Sequence, residues 1–335
     1  MHAPVAPGSL PACAAALEIT GLRVEFPTIT GQAKVVVRDL DLAIGAGEIV
    51  GLVGESGAGK TTLSRAILNL TPTPGRIAAG SVRFSGLDLL RLSERDLQRM
   101  RGRDLSVVVP NPRGELNPLL TVGKQIANIA RVHLNLDDKA AQAIALDMLR
   151  AVQIPDPERR MKAYPHELSG GMAQRVVIAI ALVCSPRFII SDDATSGLDV
   201  TVQAQILTLL RQLVRERDRA MLFITRDVGV AAHFCDRVAV IYQGEIMELA
   251  PCEALFLSPR HPYTAMLLAA FSHNPRLRRG WSGPDTAPRR DDAQPGCVYA
   301  GRCPRAQPLC TGSKPVLSEV TPGHWARCYF PLETA

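Results

Sequence analysis

The chain has 335 residues, with 38 Lys or Arg against 32 Asp or Glu, which gives a formal net charge of +6. A hydrophobic fraction of 47% with 21% charged residues is globular composition and excludes global disorder. The longest apolar run, Val176 to Cys184, is half the roughly 18 residues that a bilayer span needs, so we expect no integral membrane protein. At roughly 150 residues per domain, the length predicts two domains or one domain with an appendage.

The first sixteen residues are expected to be a flexible lead-in. Leu10 to Cys13 superficially resembles a lipoprotein cleavage box, but Met1 to Pro11 contains three prolines, and no basic residue except His2 precedes the box. A secretory signal needs a basic start and an apolar helix, so this segment does not fit one. We therefore expect a protein of the cytoplasm.

Basic residues are spread through the chain, so the net charge is weak evidence for nucleic acid and no nucleic-acid partner is predicted. The exception is Arg276 to Arg290, which has five arginines in a Pro- and Gly-rich stretch. A solvated linker is the favoured interpretation, and a contact with anionic lipid is the alternative.

Hydrophobic patterning predicts alternating strands and helices, which is typical of a layered α/β core with a largely parallel sheet. The predicted strands are Leu17–Phe26, Val35–Ile44, Ile49–Val53, Gly80–Phe84, Phe188–Ser191, Ala220–Thr225 and a hairpin of Val238–Ile241 with Ile246–Glu248. The predicted helices are Lys60–Leu70, Leu120–Val152 with a break near Asn135 to Asp138, Gln174–Val183 and Val202–Arg217. The composition changes after about Pro259, where a Pro-, Gly- and Arg-rich stretch leads into a tail with four of the eight cysteines.

A phosphate-binding loop is predicted at Gly54-Glu55-Ser56-Gly57-Ala58-Gly59-Lys60-Thr61, between a buried strand and a helix. Glycines let successive backbone N–H groups surround phosphate oxygens, and the helix N-terminus adds partial positive charge. Lys60 is expected to neutralise the β- and γ-phosphates, and the Thr61 hydroxyl to ligate Mg²⁺. The alternative, a chance Gly-rich turn, does not account for the flanking strand and helix.

An acidic strand end follows at Phe188 to Asp193. A carboxylate at the end of an apolar strand would lie beside the phosphate loop, where Asp192 could hold Mg²⁺ through water. By itself this pattern is common and weakly specific.

The run Leu168-Ser169-Gly170-Gly171-Met172-Ala173-Gln174-Arg175 lies between these two motifs and resembles the signature of ABC-type ATPases. Ser196 to Asp199 resembles the loop that communicates across the ATPase dimer of that family. Three further runs and the Cys-containing tail are similar to the oligopeptide/dipeptide/nickel branch of ABC importers. These runs are Asn117–Leu119, Asp199–Ile206 and His261–Thr264.

The resemblance implies a P-loop ABC-type ATPase domain over residues 17–258, with a helical subdomain at about 110–168 and a C-terminal extension over 259–335. Each ATP would lie between one chain's phosphate loop and the other chain's signature, so Ser169, Gly170, Gly171 and Gln174 would serve the partner's site, with Asp199 in the dimer loop. Phe26 resembles the aromatic residue that stacks on adenine, although a strand Phe is more often core. The ATP-binding residues implied are Phe26, Gly54, Glu55, Ser56, Gly57, Ala58, Gly59, Lys60, Thr61 and Thr62, with Mg²⁺ on Thr61 and Asp192.

Three positions depart from the family pattern. Pro110 stands where the family has a Gln that helps to bind Mg²⁺ or water, and proline has no side-chain donor or acceptor. Asp193 stands where a Glu polarises the attacking water, and the shorter side chain retracts the carboxylate by roughly 1 Å. Arg226 stands where a His contacts the γ-phosphate, and Arg cannot exchange a proton near neutral pH.

Together the departures predict a site that binds ATP but hydrolyses it poorly, in a heterodimer whose second ABC ATPase chain has intact catalytic residues. The resemblance further implies two transmembrane permease subunits, an extracytoplasmic substrate-binding protein and a peripheral place on the cytoplasmic face of the membrane. The alternatives are a fully active homodimeric transport ATPase and a catalytically silent regulatory or scaffold subunit. An ABC protein acting on ribosomes or DNA is disfavoured, because only one ATPase unit is visible.

Four tail cysteines, Cys297, Cys303, Cys310 and Cys328, lack the CxxC pairs of zinc ribbons. Four thiolates can nevertheless hold Zn²⁺ or a [4Fe–4S] cluster, and some members of the resembling family carry such a cluster. An iron–sulfur cluster is the favoured interpretation, with zinc and unligated thiols as alternatives. Cys184 lies on an apolar helix and is expected to be a core residue.

Overall fold

The structure is a computed structural model that describes residues 15–28, 31, 33–271 and 295–333. Most of the N-terminal lead-in and the whole of the Arg276 to Arg290 segment lie outside the described residues. The chain divides into two compact units. Unit one comprises Met1–Ile44, Ile49–Leu90 and Thr225–Ala335, and unit two comprises Gly45–Glu48 and Arg91–Ile224.

Unit one contains an antiparallel sheet with the strand order β2-β1-β4-β5, formed by β1 (Ala15–Pro27), β2 (Ala33–Gly45), β4 (Arg76–Phe84) and β5 (Leu87–Asp88). The alternating pattern of β1 buries Leu17 and Ile19 on one face, because successive side chains of a strand point to opposite faces. The pairing of β1 with β4 is irregular between Thr20 and Val24, and Leu22 and Val24 continue the alternation of buried residues beyond Gly21. The strands predicted at Leu17–Phe26 and Val35–Ile44 are therefore confirmed.

A second sheet of unit one contains β3 (Ile49–Val53), β9 (Arg237–Tyr242), β10 (Glu245–Pro251), β11 (Ser318–Thr321) and β12 (His324–Ala326). The order is β11-β12-β10-β9-β3, with β3 parallel to β9 and the other pairs antiparallel. The hairpin of β9 and β10 turns at Gln243 and Gly244, both at positive φ, as the sequence predicts. The helices of this unit are α1 (Lys60–Ile67), α9 (Val228–Phe234), α10 (Cys252–Leu257), α11 (Pro262–Phe271) and α12 (Pro308–Gly312).

Unit two contains the parallel strands β6 (Leu105–Val108), β7 (Phe188–Asp192) and β8 (Ala220–Thr225), in the order β8-β7-β6. Phe188 to Asp192 are all buried, which explains the uninterrupted apolar run that predicted this strand. The helices are α2 (Glu94–Met100), α3 (Pro112–Glu115), α4 (Val122–Leu134), α5 (Asp138–Ala151), α6 (Pro157–Arg160), α7 (Gly170–Leu182) and α8 (Val200–Arg215).

The break predicted near Asn135 separates α4 from α5. Asn135 ends α4 in the left-handed conformation, with φ 55°, and the Asp137 side chain caps α5 by accepting from the Ala140 N–H at 2.7 Å. Ile126 on α4 and Leu149 on α5 are both fully buried. No helix among the described residues is long and apolar enough to cross a bilayer.

The C-terminal extension joins the second sheet of unit one through a buried carboxylate. Glu248, on β10, is completely buried and accepts from the Arg260 N–H at 2.6 Å and the His261 N–H at 2.8 Å. Its Oε1 also lies 2.6 Å from Nε2 of His324, on β12. Three partners satisfy a charge that would otherwise be costly to bury, so this carboxylate fixes the start and the end of the extension together.

The sequence did not predict α2, α9, or the helices and strands of the extension. Helices α2 and α9 are short and are capped locally by Ser93 and Asp227, whereas the extension is held by contacts with distant parts of the chain. Arg327, for example, donates from Nε to the Ile246 carbonyl at 3.0 Å and from a terminal nitrogen to the Pro315 carbonyl at 3.2 Å.

Candidate functional site

The phosphate loop follows a fully buried strand, β3, and ends where α1 begins at Lys60. Gly59 precedes the helix at φ 105° and ψ 2°, a backbone conformation that only glycine adopts without strain. The first turn of α1 has no acidic residue. The helix therefore presents a positive N-terminus to whatever the loop surrounds.

Lys60 is buried, with 8% of its surface exposed, and its ammonium group is held inside the loop. Its Nζ donates to the Gly54 carbonyl at 2.6 Å and to the Glu55 carbonyl at 2.9 Å. An ammonium group in contact with two loop carbonyls lies where it can also meet an anion that the loop surrounds.

The β9–β10 hairpin supports the loop from behind. The Gly244 N–H donates to the Ala58 carbonyl at 2.9 Å, and the Gly244 carbonyl accepts from the Arg38 N–H at 2.9 Å. These bonds connect the loop to β2 through one backbone position. The geometry of the loop thus depends on a turn that is nearly 190 residues away in the sequence.

Phe26 lies near the end of β1 and is half-buried. A side chain at Gly75 would bring its Cβ within 2.5 Å of the Phe26 ring, so the ring packs directly against this glycine. The structure thus gives Phe26 a packing partner, and a role with adenine stays a prediction.

In unit two, β7 ends at the buried Asp192, and Asp193 follows at φ 51°. The Asp193 N–H donates to the Ile224 carbonyl at 2.9 Å, and its carbonyl accepts from Ser196 N–H at 3.0 Å. Asp and Asn adopt the left-handed conformation more readily than Glu does. The backbone at this position is therefore compatible with the shorter residue.

The other two departing positions are both exposed. Pro110 lies two residues beyond Val108, which pairs with Ser191 in the β6–β7 register, so Pro110 and Asp193 follow the same end of two neighbouring strands. Arg226 follows β8 directly, in unit one.

The signature segment forms the N-terminus of α7, which begins four residues before the helix predicted at Gln174. Ser169 caps this helix, its Oγ accepting from the Met172 N–H at 3.3 Å. A Cβ at Gly171 would lie 2.8 Å from a Val202 methyl group, so this glycine lets α8 approach closely. Gln174 is 1% exposed, and its contact with a partner's nucleotide stays a prediction.

Asp199, the residue expected in the dimer loop, is exposed and caps α8, with its carboxylate accepting from the Val202 N–H at 2.9 Å. Gln203, one turn into the helix, donates to Thr195 Oγ1 at 3.2 Å. The loop before α8 is thus held to the helix by side-chain bonds at two points.

All four tail cysteines line one cavity, whose described lining residues include no carboxylate. Burial, aided by the nearby thiols, raises the pKa of Cys297 to about 12 and that of Cys328 to about 11. Across the described residues, no three or more His, Cys, Asp or Glu side chains are arranged to hold a metal ion. The cysteines expected to be ligands thus share a cavity without forming a ready metal geometry.

Two residues of the extension contact the phosphate loop: Tyr263, which lies in the family-like run His261–Thr264, and Arg302, which the sequence did not single out. The Tyr263 hydroxyl accepts from the Glu55 N–H at 3.1 Å, and one Arg302 nitrogen donates to both Glu55 carboxylate oxygens at 3.0 Å. The only sequence signal was the position of Arg302 beside Cys303, which does not point to a loop nearly 250 residues away.

Two family models match the chain. The ABC transporter model matches residues 37–196, and the model of the oligopeptide/dipeptide transporter C-terminal region matches residues 247–310. The first match includes the phosphate loop and signature, and the second includes three of the four tail cysteines.

Two relatives are similar to this chain over almost its whole length. The oligopeptide transport ATP-binding protein OppD of Salmonella typhimurium is 41% identical over 321 residues, covering 95% of this chain and 94% of the relative. The dipeptide transport ATP-binding protein DppD of Escherichia coli is 38% identical over 322 residues, covering 96% and 98%. A dimeric structure of MJ0796, described as a bacterial ABC transporter cassette, has a TM-score of 0.63 at 25% identity and covers 70% of this chain and 98% of that chain.

Proposed function

The chain belongs to the ABC transporter ATP-binding subunits that carry an oligopeptide/dipeptide-type C-terminal region, and we propose that it energises import of peptides or related small solutes, metal chelates included. The observation that carries the proposal is the phosphate loop, in which Lys60 is buried against the Gly54 and Glu55 carbonyls at the N-terminus of α1. Purified full-length chain should bind Mg-ATP, measured by calorimetry, and its transporter should import peptide only with ATP.

The residues present fit ATP and Mg²⁺ by their chemistry. Lys60 supplies the cation for the phosphates, and the α1 N-terminus, free of acidic residues in its first turn, supplies further N–H donors. Thr61 and Asp192 each offer an oxygen of the kind that Mg²⁺ prefers. When bound, Mg²⁺ would neutralise charge that develops on the phosphate oxygens.

We further propose that this chain hydrolyses ATP poorly and works beside a second ATPase chain that has intact catalytic residues. Three substitutions support this: Pro110 has no polar side chain, Asp193 is one methylene short, and Arg226 cannot exchange a proton near neutral pH. In that arrangement the Ser169 end of α7 would face the partner's nucleotide, with Gly170 and Gly171 beside it.

Asp193→Glu tests the proposed impairment. Restoring the methylene should raise the ATPase rate of the purified chain by about ten- to a hundredfold, because a misplacement on this scale can cost about a hundredfold. The left-handed backbone at this position should lower stability by about 1 kcal/mol. Asp193→Asn is the matched control and should show no gain.

The alternatives make different predictions. A homodimer of this chain that hydrolyses ATP at the full rate of its complex would favour an active homodimeric enzyme and contradict the impaired site. Transport that is unaffected by Lys60→Ala in this chain would favour a regulatory or scaffold subunit.

The proposed assembly contains two transmembrane permease subunits and an extracytoplasmic substrate-binding protein, with this chain peripheral on the cytoplasmic face. The named relatives support it, since both are ATP-binding proteins of peptide transport. Co-purification tests this assembly: a tagged chain should bring down two hydrophobic subunits. The tag expressed without the chain should bring down neither.

We also propose that the tail cysteines hold a [4Fe–4S] cluster. The support is chemical, since four thiols and no carboxylate occur among the described residues that line the cavity. In the structure the sulfur atoms are not arranged as metal ligands, so binding would require local adjustment. Iron and acid-labile sulfide analysis of anaerobically purified chain tests the cluster, and zinc analysis tests the alternative metal.

A further inference from the structure

Glu55, the second residue of the phosphate loop, is attached to the rest of the molecule at three points. Its carbonyl accepts from Lys60 Nζ at 2.9 Å, and its N–H donates to the Tyr263 hydroxyl at 3.1 Å. Its carboxylate accepts from Arg302 at 3.0 Å through both oxygens. Two of these three attachments come from the C-terminal extension.

Arg302 is held in place by aromatic groups. Its guanidinium carbon lies 5.7 Å from the Tyr242 ring centroid and 6.0 Å from that of Tyr299, within the range of cation–π attraction. A terminal nitrogen also approaches the Tyr242 hydroxyl at 3.4 Å. Only 18% of the Arg302 side chain is exposed, against 38% for Glu55, so the pair is partly shielded from solvent.

The aromatic residues behind Arg302 form one cluster. Tyr263 and Tyr242 have ring centroids 4.6 Å apart, and Tyr299 lies 5.3 Å from each. Tyr242 comes from β9, Tyr263 from α11 and Tyr299 from the segment that leads into Arg302. This cluster fixes the extension against the strand beside the phosphate loop, which gives Arg302 a defined position.

A carboxylate in a phosphate-binding loop opposes binding, because like charges repel over several ångströms in a partly desolvated site. Arg302 supplies the compensating charge through a two-oxygen contact, which also restricts the carboxylate to one orientation. The loop itself has only one basic side chain, Lys60, which its own contacts direct to the loop carbonyls. The compensation for Glu55 therefore has to come from outside the motif.

We propose that Arg302 is a positioning residue of the phosphate loop, which neutralises and orients Glu55 so that the C-terminal extension forms part of the nucleotide-binding site. The inference rests on the proposed binding of ATP and adds to it a residue far outside the loop. It predicts that the affinity of the loop for ATP depends on the ion pair between Arg302 and Glu55, and that a folded extension without this pair is not sufficient.

A double-mutant cycle on the purified full-length chain tests the proposal, with Mg-ATP affinity measured by calorimetry. Arg302→Ala should weaken ATP binding about tenfold when Glu55 is present, since hydrogen bonds between charged groups contribute on that order. In the Glu55→Gln background the same substitution should cost less than about twofold, because no carboxylate is left uncompensated. Arg302→Lys keeps the positive charge but loses the guanidinium geometry, so with Glu55 present its ATP affinity should lie between that of the unmodified chain and that of Arg302→Ala.

Two further measurements separate this role from a purely structural one. Arg305→Ala removes an exposed arginine from the same extension and should leave ATP affinity unchanged. ADP binding should respond to Arg302→Ala less than ATP binding does, because ADP carries less negative charge.

An equal loss in both Glu55 backgrounds would assign Arg302 a structural role and overturn the proposal, as would ATP binding that Arg302→Ala does not alter. Failure of the unmodified chain to bind ATP would instead overturn the proposed function, and this inference with it. The two failures are therefore distinguishable in one set of titrations.

Discussion

The phosphate loop and the C-terminal extension belong to the same unit but are stabilised in different ways. The loop is defined by a short motif between β3 and α1, with Lys60 bonded to carbonyls five and six residues away. The extension is held by bonds that span 76 residues at His324, 81 at Arg327 and 247 at Arg302. A local motif can thus be recognised in a sequence, whereas the way a distant segment supports it becomes visible only in the fold.

The largest expected effect is a loss of stability when Glu248, which holds the extension, is replaced. Glu248→Ala leaves the Arg260 N–H, the His261 N–H and His324 Nε2 without their carboxylate partner, and it should lower the free energy of unfolding by about 3–5 kcal/mol, the cost typical of breaking a buried charged network. Urea denaturation measures it. Glu253→Ala, at an exposed position on α10, is the matched control and should change stability by less than about 0.5 kcal/mol.

If Glu248→Ala also weakens ATP binding under conditions where the chain is still folded, the two regions are coupled as the Arg302 contact implies. A normal affinity for ATP in this variant would instead show that ATP binding at the loop does not depend on the Glu248 contacts.

The next largest expected effect is a loss of ATP affinity at the phosphate loop. Lys60→Ala removes the buried ammonium group and should weaken ATP binding by about a hundredfold, equivalent to two charged hydrogen bonds at the lower end of their range. Calorimetric titration measures the affinity. Lys124→Ala, at an exposed position on α4, is the control for loss of one positive charge. An affinity that falls equally in both variants would contradict a specific role for Lys60.

The contrast between the regions also explains what the sequence could predict. Strand β3 is predicted at its observed bounds and the start of α1 at Lys60, because an apolar run, a glycine turn and a helical pattern follow each other within twenty residues. Helix α7 begins earlier than its apolar pattern does, because the Ser169 cap rather than periodicity sets its first residue.

The contacts of the extension could not be predicted in this way. Nothing near Arg302 in the sequence indicates Glu55, and nothing near Glu248 indicates His324, because charge pairs across a fold leave no periodic signal. The four cysteines were recognised as a group because they all lie in the tail, but the aromatic cluster beside them was not recognised. Tyr263 and Tyr299 look like ordinary core residues until the fold brings them together with Tyr242.

A further expected effect is a pH dependence of stability that originates in the extension. Burial, together with the positive charge of Arg327, lowers the pKa of His261 from its usual 6.5 to about 3. His261 is therefore neutral in the folded chain, where its Nδ1 accepts from the Tyr263 N–H at 3.0 Å. The unfolded chain binds a proton below about pH 6.5, so the stabilisation is complete above that pH and is lost as the pH falls towards 3.

The expected slope from this one residue is about 1.4 kcal/mol per pH unit between pH 6.5 and 3. His261→Asn keeps an acceptor for the Tyr263 N–H but does not titrate, so its unfolding free energy should fall less steeply over the same range. Equal slopes in urea denaturation at pH 6.5, 5.5 and 4.5 would contradict a neutral buried His261. A steeper slope for the unmodified chain is the expected result, because only that chain keeps a histidine at position 261 that gains a proton on unfolding in this pH range.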